Sequence, residues 1–409
     1  MTSKEWKICK LGNIIKLIGG GTPKTSISEY WNGNIPWISV KDFNNDNKKV
    51  YVTEKTITKL GLNKSATKLL QKGDIIISAR GTVGEIAVVS KPMAFNQSCY
   101  GIKAIPNIVQ DDFLYYLLKN SIQYLKHNTH GSVFDTITKE TFEKINILLP
   151  PLEVQEKIAE VLSSLDNKIE LNNRINNNLE QQAQAIFKSW FVDNEYEIEK
   201  ETTIGEACKC ELGGTPSRNK KEYWDGSIAW INSGTVNNYR ITKATEYITE
   251  LGLSKSATKL LPKKTTVLAI TGATLGQISL LEIDSCANQS VVGILENEKV
   301  PYEFIYPYIC HNIHELLSHQ TGGAQQHINK QNIEQLVISL PKHDVICKYK
   351  KLVNPIYSKI TNNCFENEQL AQLRDALLPK LMSGEIDVSN VEIDKVSTNK
   401  LSFNDEVNL

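Results

Sequence analysis

Apolar residues change their spacing along this chain in a pattern that occurs twice. Up to about residue 149, short apolar runs such as DIIIS (74–78) stand between clusters of Gly, Pro, Asn and Thr, which reads as strands separated by turns. From about 152 to 192 glycine disappears, and Ile158, Leu162, Leu165, Ile169, Asn172, Asn176, Leu179, Ala183, Ile186 and Trp190 recur at alternating steps of four and three. That spacing predicts a long helix with one seam, apolar except at the two Asn. Short runs such as VLAIT (267–271) then return, followed by a second glycine-free stretch from about 343 to 382. Its seam is Tyr349, Val353, Ile356, Ile360, Asn363, Asn367, Leu370, Arg374, Leu377 and Leu381. Pro150-Pro151 and Pro341 close the two strand-rich parts.

The residues repeat along with the texture. LGLNKSATKLL (60–70) is spelled again as LGLSKSATKLL (251–261), and GGTP at 20–23 returns at 213–216. Tyr30, Trp31 and Trp37 match Tyr223, Trp224 and Trp230, while Asn96-Gln97-Ser98 matches Asn288-Gln289-Ser290. Thr82 and Gly84 match Thr274 and Gly276. The chain is therefore one unit read twice. An α+β fold is expected: two duplicated mixed, largely β domains separated by two long helices that form an antiparallel coiled coil. The expected boundaries are 1–149 and 199–340 for the domains, 150–198 and 341–388 for the helical spacers, and 389–409 for a polar, flexible tail.

Run antiparallel, the seams place Asn172 against Asn367 and Asn176 against Asn363, flanked by Ile169 with Leu370 and Leu179 with Ile360. Leu165 with Arg374 is the imperfect layer. A buried Asn costs stability but penalises every slipped register, so these four residues read as register devices. From Ile158 to Trp190 the helix would span about 48 Å, a ruler between the domains.

Composition narrows the chemistry. The 409 residues carry 46 basic and 46 acidic side chains, so a polyanion would have to be held by local patches, not by a global field. No run of 18 apolar residues occurs and MTSKEWKICK lacks a signal-peptide core, so a cytoplasmic protein without membrane association is expected. The eight cysteines are scattered without a C-x-x-C pair and read as free or buried thiols, with no metal site. Gly19-Gly20-Gly21 lacks nucleotide-loop spacing, and no phosphate-cradling lysine loop exists. Asn354-Pro355-Ile356-Tyr357 faintly resembles the motif of DNA amino-methyltransferases, but it lies on the helical seam without a methyl-donor loop. His311, His314 and His319 have no accompanying ligand set, and His127 and His130 read the same way. No catalytic residue is assigned.

The duplicated G-G-T-P and Trp stretches, S-A-T-K-L-L, the Asn-Gln-Ser turns, the domain exits NILLPPLEVQEKIAEVLSSLD and VISLP, and the ending LLPKLMSGEIDV together resemble the specificity subunit of type I restriction-modification systems. The resemblance covers nearly the whole chain. It implies a non-catalytic subunit whose two target-recognition domains each read one half of a bipartite sequence in double-stranded DNA across an unread gap. It also implies that the helices dock two methyltransferase subunits, through which restriction and motor subunits join. S-adenosylmethionine, ATP and Mg²⁺ would then belong to those partners, with no cofactor on this chain. Two unlike domains on a ruler would lie along one face of a duplex, with half-sites roughly one helical turn apart.

In that setting the residues shared by both copies suit phosphates and the divergent ones suit bases. Lys64, Lys68, Lys255 and Lys259 are the shared basic candidates. The divergent candidates are Lys41, Asn44, Arg80, Ser132 and Asp135 for the first half-site and Asn232, Arg240, Gln325, Gln326 and His327 for the second. Arg suits guanine, while Asn and Gln suit adenine. Two rival readings are a scaffold whose repeated domains bind a peptide or protein, and a stand-alone methyltransferase, which the missing donor loop opposes.

Overall fold

The protein is described from a computed structural model, which covers residues 6–43, 47–128, 136–194, 196–318 and 327–388. The chain divides into two compact units, residues 1–170 with 370–409, and residues 171–369. Each unit takes part of both long helices, Leu152–Phe191 and His343–Ser383.

In the first unit a five-stranded sheet runs in the order Ile15–Gly19, Cys99–Ala104, Ile75–Ser78, Ile86–Val89, Lys49–Val50. All its pairs are antiparallel except the last, which is parallel. Ile75–Ser78 is buried along its whole length, as expected of a continuous apolar run bounded by turns. A four-stranded sheet holds Lys55–Ile57, Trp31–Ile38, Met93–Phe95 and Leu69–Leu70, and Lys7–Lys10 pairs antiparallel with Asn146–Leu149. Helix Asp111–Asn128 contributes Phe113, Leu114, Leu117 and Leu118 to the core.

The second unit repeats this plan. Its sheets have the orders Lys209–Leu212, Val291–Leu295, Thr266–Ala269, Ile278–Leu281, Arg240–Ile241 and Glu246–Ile248, Trp224–Ile231, Ser285–Ala287, Leu260–Leu261. Ile198–Thr203 pairs with Val337–Pro341.

The repeated words of the sequence touch one another in each copy, which explains why they recur together. A side chain at Gly21 would come within 2.3 Å of the Thr67 nitrogen, and one at Gly214 within 2.5 Å of the Thr258 nitrogen. The indole N–H of Trp37 donates to the Gly21 carbonyl at 3.0 Å, as Trp230 does to Gly214 at 3.1 Å. Thr67 and Thr258 donate to the carbonyls of Phe95 and Ala287, just before the Asn-Gln-Ser turns. G-G-T-P, Trp, S-A-T-K and N-Q-S thus form one interlocked node in each copy.

The long helices pair antiparallel, and the Asn layers form as the seams suggest. Asn172 Nδ2 donates to Asn367 Oδ1 at 2.9 Å, and Asn363 Nδ2 to Asn176 Oδ1 at 2.8 Å. Asn172, Asn176 and Asn363 are all buried. The Leu165–Arg374 layer needs correction. Leu165 is only half-buried, while its neighbour Asp166 is buried and accepts from Arg374 Nη1 at 2.7 Å. The supposed defect is an ion pair. Burial opposes the Arg374 charge, but hydrogen bonds to Asp375 and Asp166 outweigh it and hold the guanidinium pKa above its usual range.

Candidate nucleic-acid interface

The shared lysines lie where the repeated eleven-residue stretch meets solvent. Thr58 and Thr249 cap the short helices Lys59–Asn63 and Glu250–Ser254 by accepting from Gly61 N and Gly252 N, both at 3.1 Å. Lys64 and Lys255 follow these helices, and Lys68 and Lys259 immediately precede strands Leu69–Leu70 and Leu260–Leu261. All four are exposed and form no ion pair among the described residues. Unpaired surface ammonium groups in the same place on both domains suit an anionic partner without reading sequence.

The divergent segments are brought together across long stretches of chain. Arg80 forms an isolated antiparallel bridge with Thr136, and Thr271 forms the matching bridge with His327. Ile137 N donates to Ala79 O at 3.0 Å, and Ile328 N to Ile270 O at 3.1 Å. Arg80 and His327 are both exposed at these seams. Lys41 is exposed on the turn Val40–Asp42, whose shape is held by Asp42 Oδ2 accepting from Ser39 N at 2.7 Å. Asn44, Ser132, Asp135, Gln325 and Gln326 lie outside the described residues.

Two candidates for the second half-site behave differently. Asn232 is half-buried and caps the turn Ser233–Asn237, its Oδ1 accepting from Thr235 N at 3.1 Å. Its carbonyl oxygen is committed to the fold. Arg240 must be corrected outright: its side chain is 1% exposed and its Nη2 lies 2.9 Å from Glu180 Oε2, among the rings of Tyr239 and Tyr306. Burial works against the charge, yet Tyr306, Glu180 and Tyr239 keep its pKa well above the ordinary value. It faces the interior, so it cannot read a base edge from this position.

The Asn-Gln-Ser turns have the structural role that their identity in both copies suggests. Asn96 Oδ1 accepts from Ser98 N at 3.1 Å and Asn288 Oδ1 from Ser290 N at 3.0 Å, while Thr22 and Thr215 donate to Gln97 and Gln289. One surface feature has no counterpart in the sequence reading. Arg218 stacks on Trp224 at 3.7 Å while held by Glu246 at 2.7 Å. Its signal was the loss of symmetry, since the first copy has Thr25 at the corresponding place after G-G-T-P. Among the described residues, no group of three His, Cys, Asp or Glu could hold a metal ion.

A tandem α+β protein, with one strand-rich fold present twice and each copy packed on segments of two long antiparallel helices, is the class that this architecture defines. The chain belongs to the family described as the type I restriction modification DNA specificity domain, which matches residues 3–181 and 197–369. It is 30% identical to the type I restriction enzyme MjaIX specificity subunit of Methanocaldococcus jannaschii, across 95% of each chain. It is 26% identical to the HindI specificity subunit of Haemophilus influenzae, across 93% of this chain and 100% of that one. Its fold is shared with the crystal structure of the type I restriction-modification S subunit from M. genitalium, at a TM-score of 0.52 and 16% identity over 92% of this chain and 96% of that one.

Proposed function

We propose that this chain is the DNA-reading subunit of a type I restriction-modification complex, recognising an asymmetric bipartite site in double-stranded DNA. The first domain takes one half-site and the second the other, with the gap set by the helical segments. Two methyltransferase subunits dock on the helices, and restriction and motor subunits join through them. The chain itself performs no chemistry: S-adenosylmethionine, ATP and Mg²⁺ act on the partner subunits. Such a complex works in the cytoplasm, and no helix among the described residues is long and apolar enough to cross a membrane.

One observation carries this reading. Both domains expose the same unpaired lysines, while the segments joined by the Arg80–Thr136 and Thr271–His327 bridges differ between copies. Identical phosphate contacts with different base contacts are what two unlike half-sites require. The test is to co-express the chain with its methyltransferase subunit, select duplexes from a randomised library and sequence them. A split, asymmetric motif with a fixed unread gap is expected. A continuous motif, or no enrichment, would return the field to a protein-binding scaffold.

A further inference from the structure

We infer that Lys48 and Arg240 are positioning residues that hold each recognition domain at a fixed angle on its own helical segment, and so decide which gap length is accepted. This rests on the bipartite reading above.

Each domain is fastened to the helices by an apolar contact and an adjoining polar one. In the first unit the fastening near the helix end is apolar: Val154, Ile158 and Leu162, with Leu378 and Leu381, share a core with Phe113 and Leu117. Apolar packing is not directional in itself. Farther along the helix the fastening is polar. Lys48, with its side chain 5% exposed, donates to Asp112 Oδ1 at 2.8 Å and to Ser163 Oγ on the helix at 3.0 Å. Tyr116 OH donates to Asp166 Oδ2 at 2.5 Å, which ties the domain to the Asp166–Arg374 pair. Lys49 and Tyr51 reach Glu170. The polar contacts begin at Ser163, next to Leu162, and continue to Glu170, roughly 10 Å farther along the helix.

The second unit reaches the same arrangement with other residues. Ala183, Phe187, Tyr349 and Val353 make the apolar fastening. Arg240, on the matching edge strand, donates to Glu180 at 2.9 Å and to Tyr306 OH at 3.1 Å, and Tyr239 OH donates to Glu180 at 2.8 Å. Lys264 bridges Glu282 at 2.5 Å and Thr361 of the second helix at 3.0 Å. Thr242 and Lys243 reach Glu368 at 3.2 and 3.1 Å.

Buried, charge-assisted hydrogen bonds such as Arg240–Glu180 are directional, and displacing one partner there leaves a charge uncompensated, while Lys48 is held by Asp112 of its own domain and reaches the helix through the Ser163 hydroxyl. Each domain is therefore fixed in tilt as well as in place. The consequence is measurable because each added base pair moves a half-site by about 3.4 Å and turns it by about 35° around the duplex. A domain free to rock would follow that shift, whereas a clamped domain would not.

The test uses the chain in complex with its methyltransferase subunit. Both half-sites are held as selected from the library, while the gap is lengthened or shortened by one or two base pairs. The first variant combines Lys48→Met with Arg240→Met and Glu180→Gln, which removes both named residues and leaves the Lys264–Glu282 pair balanced. The second combines Ser163→Ala with Tyr239→Phe, which loosens the same contacts while leaving both buried cations paired, and so spares the fold if the first variant does not fold. The unaltered complex should lose at least about tenfold in affinity for each base pair of gap change, comparable with a mismatched pair. In the variants that loss should shrink to about threefold or less, with the base preferences of both half-sites unchanged. An unchanged gap penalty, or equal weakening on every duplex, overturns the inference. If the unaltered complex selects no gapped motif, the bipartite reading fails and the clamp role falls with it.

Discussion

Buried charge is where single residues carry the most consequence in this molecule. Glu303 has a side chain 1% exposed, and its nearest cation, Lys350, stands 4.0 Å away with half its surface in solvent. Burial raises the Glu303 pKa, with Lys350 only partly opposing that rise. A raised carboxylate pKa means that the folded state resists ionisation. The resulting penalty is fully present above the folded pKa and disappears below the unfolded value near pH 4.3. Glu303→Gln should therefore stabilise the protein by about 1 kcal/mol at pH 7.5. Urea titrations repeated toward pH 4.5 should show that gain fading, and a constant gain would contradict the account. Arg374 carries the opposite sign. Arg374→Met alone should cost about 3–5 kcal/mol by stranding Asp166, whereas Arg374→Met with Asp166→Leu should recover most of the loss. The two unfolding midpoints give the comparison directly.

At the scale of the elements, the helices were legible and one clamp was not. Steps of four and three survive in any helix that buries one stripe, so the seam and its two Asn layers could be paired from spacing alone. Arg374 was harder to place, because its partner Asp166 sits one position off the seam that spacing defines. Arg240 was misread for a related reason: divergence between copies was taken as a mark of base contacts. The first copy has Lys49 at the corresponding place on its edge strand, with Lys48 just before it, and both turn to the helix as well. A cation kept in place while its neighbours change was the overlooked signal. The Asn layers make a prediction of their own. Asn363→Leu should lose about 1–3 kcal/mol by leaving the Asn176 amide without its partner, while Asn176→Leu with Asn363→Leu should match or exceed the parent in thermal melting.

For the whole molecule, the division between shared and divergent surface predicts how DNA binding fails. Lys64→Ala with Lys68→Ala should reduce the slope of log affinity against log salt by about 1.8, at roughly 0.9 for each phosphate contact, and leave base preference intact. On the proposed bipartite reading, Arg80→Ala should instead relax one or more positions of a single half-site, which library selection would resolve. The interlocked node of G-G-T-P, Trp, S-A-T-K and N-Q-S was visible as repetition, but its reason was not: van der Waals exclusion at Gly21 and Gly214 exists only once the chain is folded.

The division of the helices also governs the order in which the protein can be built. The second unit is continuous in the chain, residues 171–369, whereas the first needs residues from 370 onward to complete it. Leu378, Leu381 and Met382, made only after the whole second unit, are part of the core that contains Phe113 and Ile158. At about 5–20 residues per second, the domain synthesised first waits on the order of 10–40 s for that closing segment to leave the ribosome. The domain synthesised second can finish before it. A nascent chain stalled short of residue 370 would thus expose an incomplete N-terminal core, and a C-terminal truncation would show its damage at the opposite end of the sequence.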